Sequence, residues 1–255
     1  LSDNQAQDLY DAITTYNANV ISYDSDAAAY FTAASITDVT EKNAVNQLVL
    51  DLKGTGSTTN NNNIWASMQA IYPVSPTSLS AAAFNLKNTS LYEITWFNSP
   101  SHATTGISGN GTTQYGDTGA VLGTILSDRD DSGMTYSGDY SSGDYAMGTN
   151  TSTEFWGLRT SSSKRFGFLG LSAAAVSGGG TVAGIWTVVR RSATDKELYK
   201  NGASVASRAS PSDTGNFPST QNLYVLGRNN NGSAGNLFAG EIDFWAVHQS
   251  LTDNE

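Results

Sequence analysis

Apolar residues recur at helical spacing up to about residue 72 and in alternation after it. In the first stretch Leu9, Ile13 and Tyr16 share one side of a helix that Asp3 can cap, while Gln5, Asp8 and Asp11 lie elsewhere. Asp24 or Ser25 opens a second helix through Ala27–Ala34. A third is the clearest, with Thr40 at the N-cap, Val45, Leu48, Val49 and Leu52 at helical spacing, and Gly54 as the stop. From Gly54 to Asn63 only Gly, Ser, Thr and Asn occur, which reads as a polar linker with nothing to bury. Ile64–Tyr72 predicts a short fourth helix running into Pro73.

From Phe84 onward the pattern is that of strands. Leu91–Phe97, Thr113–Gly116, Tyr145–Met147, Glu154–Arg159, Arg165–Leu169 and Gly184–Arg190 are rich in aromatic and β-branched residues and are separated by Gly, Ser, Asn and Asp turns. Leu198 and Lys200 alternate before Asn201-Gly202, a pair suited to a tight hairpin, and Val205 starts the returning strand. Leu223–Arg228 predicts a further strand. In Phe238–His248 strict alternation sets Phe238, Gly240, Ile242, Phe244, Ala246 and His248 on one face, against Ala239, Glu241, Asp243, Trp245 and Val247 on the other. About ten strands at short spacing, with no period of 20 to 50 residues, predict a sandwich rather than a solenoid or propeller.

Composition narrows the function classes. The 255 residues include 25 glycines, 14 % charged residues and no cysteine, the profile of a rigid extracellular-type β-protein without disulfides or thiolate metal sites. A net charge of −10 repels phosphate backbones and anionic membrane surfaces, so no nucleic-acid partner is expected. No apolar run approaches the ~20 residues that span a bilayer, so no membrane insertion is expected either. The sequons at Asn88, Asn110, Asn150 and Asn231 fit chance in a chain this rich in Asn, Ser and Thr. Residues 1–72 read as a helical segment for docking or assembly, and residues 73–255 as the sandwich.

Three groups of residues could carry chemistry. Asp128, Asp130 and Asp131 cluster oxygen ligands on a turn, the donor type that calcium takes, with solvated turn acids as the plain alternative. Tyr136, Tyr140 and Tyr145, spaced among Gly, Ser and Asp, form a paratope-like stretch that suits stacking on sugar rings; the alternatives are a solvated loop or a subunit contact. The five tryptophans fall in helix or strand patterns and read as core. With only two histidines, His102 and His248, far apart in sequence, and no cysteine, no zinc site is expected, and His248 reads as solvated at a strand end. Ser177-Gly-Gly-Gly180 lacks the Lys-Ser/Thr of a phosphate cradle and reads as a turn.

Leu198–Gly202, Leu223–Arg228, Phe238–Val247 and Leu251–Glu255 follow one another in the order that resembles the end of a laminin-G-like domain of the concanavalin A-like lectin and glucanase superfamily. That resemblance implies a mainly β fold, a jelly-roll sandwich of two antiparallel sheets behind the helical segment. Glu241-Ile-Asp243 is similar to the start of the carboxylate motif of the superfamily's retaining glucanases, but Trp245 and Ala246 stand where the second glutamate would be. The front half, through Asn46–Gly54, Ile64–Pro73, Phe84–Asn88, Thr95–Phe97, His102–Gly106 and Asn110–Gly119, resembles a module of structural proteins of tailed bacteriophages, with Ser75-Pro-Thr-Ser departing from its pattern. Together these imply a non-enzymatic virion structural or surface-display protein in capsid, head fibre or tail. Such a protein is located on the extracellular particle, works as a homo-oligomer beside other virion proteins, and has a lectin-like domain facing host or environmental glycans. The alternatives are a stand-alone carbohydrate-binding module and a degenerate glycoside hydrolase.

Overall fold

Glu241–His248 is the strand around which the first of two sheets is built, because it is paired along both edges. The computed structural model describes residues 2–18, 22–56, 62–74, 77–138, 144–151, 154–160, 165–171, 175–178, 180, 183–209, 217–218 and 220–251. Three helices lead, α1 (Asp3–Ala18), α2 (Ser25–Ala33) and α3 (Val39–Leu52). The strands are β1 (Met68–Pro73), β2 (Thr95–Phe97), β3 (Ser101–Ala103), β4 (Gly106–Ser108), β5 (Tyr115–Val121), β6 (Ser132–Gly138), β7 (Tyr145–Asn150), β8 (Glu154–Thr160), β9 (Arg165–Leu171), β10 (Val176–Gly178), β11 (Gly184–Ser192), β12 (Asp195–Lys200), β13 (Ala203–Arg208), β14 (Asn222–Val225), β15 (Arg228–Asn230), β16 (Ser233–Gly235) and β17 (Glu241–His248). The first sheet runs β13-β12-β11-β6-β17-β4-β3, with β1 on the same edge of β17 as β4. The second runs β10-β9-β8-β7-β14-β5-β2, with β15 beside β7. The protein is therefore a mainly β sandwich, as the alternation predicts.

The inner faces of the two sheets share one core. Met134, Tyr136, Trp186, Val188, Leu198, Ile242, Trp245 and Val247 of the first sheet meet Met147, Trp156, Leu158, Leu169, Leu223 and Val225 of the second. Tyr72 stacks on Trp245 at 5.3 Å, and Trp96 meets the same indole edge-on at 6.2 Å. A smaller core lies on the other side of the first sheet, where Tyr30, Phe31, Val45 and Val49 of α2 and α3 cover Met68, Ile71 and Ala246. Lys53 clamps this layer by pairing with Asp24 at 2.7 Å and Asp26 at 2.6 Å.

Helices α2 and α3 form where periodicity places them, with Asp24 capping the first. For α3 the cap is Asp38, which accepts the Glu41 N–H at 2.8 Å, and not Thr40. The expected fourth helix is replaced by β1. Its apolar positions recur at helical spacing because the strand is buried on both faces, Ala70 and Tyr72 toward the sandwich and Met68 and Ile71 toward the helices. The expected boundary at residues 72 and 73 thus cuts through a strand of the first sheet. Strand β6 lies where the sequence reads as a loop. Its small residues hide a plain alternation, with Met134 and Tyr136 inward and Thr135 and Ser137 outward.

His248 is fully buried, contrary to the solvated reading. Its Nδ1–H donates to the Gln249 carbonyl at 2.7 Å, so Nε2 accepts from the Thr135 hydroxyl at 3.0 Å; Thr135 in turn accepts from Thr187 at 2.9 Å. The chain of bonds ties β11, β6 and β17 across the outer face. Only glycine fits opposite the ring, since a Cβ at position 133 would lie 2.3 Å from its Cε1. Burial pushes the imidazolium pKa down to about 4, against the opposing pull of the Gln249 carbonyl and Asp131. The unfolded chain takes up this proton near the ordinary 6.5, so the contribution to stability is full above pH 6.5 and is lost as pH falls through 4. The loss is about 3 kcal/mol. Denaturant unfolding at pH 7.5 and pH 4.5 is expected to show it, and the His248→Gln variant is expected to flatten that dependence.

Candidate functional site

One extra residue in β17 decides what faces outward. The pairing with β6 shifts register between Ile242 and Phe244, a β-bulge in which two residues oppose one. Before the bulge Glu241 points out and Ile242 in; after it Trp245 and Val247 point in, while Phe244 and Ala246 face the helices. Asp243 is exposed at the bulge itself. Strict alternation places Glu241, Asp243 and Trp245 on one face, and the bulge corrects this by sending Trp245 to the core and bringing Phe244 round beside the two carboxylates.

These three residues line two adjoining hollows that meet at Ser137 and Asp243 to form a trough on the outer face of the first sheet. Its deeper part, about 480 Å³, lies between α3 and the sheet; Leu48, Leu52, Met68, Ile185, Phe244 and Leu251 make apolar walls, and Thr135, Ser137 and Thr187 offer hydroxyls. A shallower end of about 330 Å³ shares Ser137 and Asp243 and adds Glu241, Gly138 and Gly184. Glu241 is held by the Thr105 hydroxyl, which donates to its Oε2 at 3.2 Å. Gly106 makes room for it, since a Cβ there would lie 2.4 Å from the Glu241 Cγ. Ile185 is half exposed at the mouth. Chemically the trough offers carboxylate and hydroxyl acceptors at one end and an aromatic ring with aliphatic walls at the other. That combination fits a ligand with both hydroxyls and an apolar face.

The candidates named from sequence lie elsewhere. Tyr136 is 1 % exposed in the main core, and Tyr145 is 1 % exposed against Ala175 and Phe155, so neither presents a ring face to a sugar. Tyr140 lies outside the described residues. Asp128, Asp130 and Asp131 do not converge as a ligand set. Asp128 accepts the Asp130 N–H at 2.9 Å, Asp131 accepts from the Ser250 N–H at 2.8 Å and its hydroxyl at 2.6 Å, and Asp130 pairs with Arg190 at 2.7 Å. Among the described residues no group of three acidic, His or Cys side chains could hold a metal ion. Arg190 is fully buried and also donates to the Leu169 carbonyl. Beside it, burial and the Arg190 charge push the Lys196 ammonium pKa down to about 7.

The opposite outer face has a different character. Phe97, Tyr115 and Tyr224 stack in a row at 4.6 Å and 4.9 Å, and the Arg228 guanidinium lies over Tyr145 at 5.0 Å and Phe155 at 5.4 Å. Phe244, Ile185 and Ser137 were invisible as site residues in the sequence. The adjacent aromatics Phe244-Trp245, each requiring a buried face, are the one sign that alternation must break there.

No protein-family model matches the chain, and no curated protein sequence matches it. Among solved structures, a mutant of Trypanosoma rangeli sialidase displaying trans-sialidase activity is similar over 90 % of this chain and 37 % of its own, with a TM-score of 0.57 and 11 % identity. The receptor binding domain of botulinum neurotoxin C/D mosaic serotype is similar over 74 % of this chain and 50 % of its own, with a TM-score of 0.53 and 11 % identity. This chain therefore spans half or less of each, and a structural likeness at so low an identity shows a shared β-sandwich fold alone.

Asp130→Ala removes a carboxylate that pairs with the buried Arg190 guanidinium at 2.7 Å, and the variant is expected to lose more than ~1 kcal/mol in denaturant unfolding. A loss well under ~1 kcal/mol would show the pair to behave as a surface ion pair.

Proposed function

We propose that this chain is a non-enzymatic glycan-binding sandwich carried on a phage particle as a structural or surface-display protein. The observation that carries the binding part is the bulge in β17, which sets Glu241, Asp243 and Phe244 along one outer-face trough. Carboxylates accept sugar hydroxyls and an aromatic ring covers an apolar sugar face, the two contacts that a saccharide site needs. Sugar-related and receptor-binding proteins appear among the neighbours in fold, which supports the reading by analogy only. Catalysis is left out because retaining hydrolysis needs a carboxyl pair about 5 to 5.5 Å apart, one of them a proton donor. The strand positions that would complete the motif hold Trp245, which is buried in the core, and Ala246.

The particle part rests on the resemblance of the front half to phage structural modules. It is supported by α1, where Leu9 is 51 % and Tyr10 is 64 % exposed. Apolar side chains left open on a helix gain from a partner surface that covers them. By light scattering the chain is expected to be a defined oligomer, and Leu9→Asp with Tyr10→Asp is expected to shift it toward monomer with the sandwich still folded.

Binding is tested on a glycan array followed by calorimetry. Asp243→Ala and Ile185→Arg change exposed trough residues, so each is expected to weaken binding by about tenfold or more without lowering Tm. Saturable binding that neither variant changes would remove the trough as the site, and measurable glycan hydrolysis would remove the non-enzymatic reading.

A further inference from the structure

Among the described residues the trough is lined by carboxylates and by no base. Glu241 and Asp243 stand together at its polar end, and neither lining set contains a lysine, arginine or histidine. Among the described residues neither carboxylate enters an ion pair with Lys or Arg. The field of the whole chain has the same sign, at −10. A guanidinium stacked on two aromatic rings, that of Arg228, lies on the second sheet. A sugar carboxylate brought into the trough would meet two like charges with nothing to neutralise them, whereas hydroxyls would find acceptors and an ammonium would find counter-charges.

Resting on the glycan reading above, we infer that the trough selects saccharides that carry no carboxylate and prefers an amino sugar to its N-acetylated counterpart. Glu241 and Asp243 set this selectivity, while Phe244 and Ile185 supply the apolar contact common to all sugars. Such selectivity is the opposite of what fold likeness alone suggests, since a sialidase is among the neighbours.

The test is calorimetric titration of the full chain, at low and high salt, with three probes: a glucosamine oligomer, an N-acetylglucosamine oligomer and an oligogalacturonate. The glucosamine oligomer is expected to bind about threefold or more tighter than the acetylated one, and the oligogalacturonate about tenfold or more weaker, with both gaps narrowing in salt. Glu241→Gln with Asp243→Asn is expected to erase the order. Asp8→Asn with Asp11→Asn, which removes the same charge from exposed positions on α1, is expected to leave it intact.

An order that responds equally to both double variants would reflect net charge alone and overturn the inference. So would tight oligogalacturonate binding that is lost in Arg228→Gln, which would put the site on the opposite face. Binding that is sensitive to Ile185→Arg yet indifferent to probe charge would sink the selectivity while sparing the glycan reading. No binding of any probe would sink both.

Discussion

Strand β17 is held along both edges and carries one residue more than its partner β6 can match. The bonds on either side keep that residue from being absorbed by slippage, so the excess appears as a bulge between Ile242 and Phe244. Three consequences follow from the same shift. Trp245 turns inward to stack on Tyr72, Phe244 turns outward to meet the helices, and Asp243 stands exposed at the trough. Core, helix docking and candidate site therefore share one local constraint.

The helical layer gives the trough its depth. The outer sheet face alone would have no wall opposite Ile185; α3 lies along it with Leu48 and Leu52 facing the gap and so raises an apolar one. The wall is anchored through Ala246, Ile71 and Met68, and by Lys53, whose ammonium also lies 5.3 Å from the Trp65 ring. Beneath the trough the Thr187–Thr135–His248 chain fixes the floor, with its hydroxyls already oriented by a neutral imidazole. A floor of this kind is preorganised, which favours binding by lowering the ordering cost.

Much of the fold was legible along the chain. The Asn201-Gly202 hairpin, the strands at 154–160, 184–192 and 222–225 and the helices at 25–33 and 39–52 lie where alternation and periodicity put them. The failures share a physical cause, namely burial on two faces. Between helices and core, β1 buries Met68, Ile71 and Tyr72 at spacings that mimic a helix, and β6 is built from small residues because His248 and the neighbouring strands crowd it. The tyrosines of 136–145 resemble a paratope in composition, but β6 and β7 are inner strands of their sheets, so Tyr136 and Tyr145 are enclosed. The acids at 128–131 resemble a calcium loop until the distant partners Arg190 and Ser250 are in place. Glu241 and Asp243 were readable as a pair of outward carboxylates; their companions were not, because a register shift is a property of two strands together.

The most direct measurement is a crystal structure of the chain with a bound neutral or amino oligosaccharide. A sugar ring is expected against Phe244 and Ile185, with its hydroxyl or ammonium groups in hydrogen-bond reach of Glu241 and Asp243. A sugar seated instead on the Phe97–Tyr115–Tyr224 face, with the trough holding only water, would contradict it.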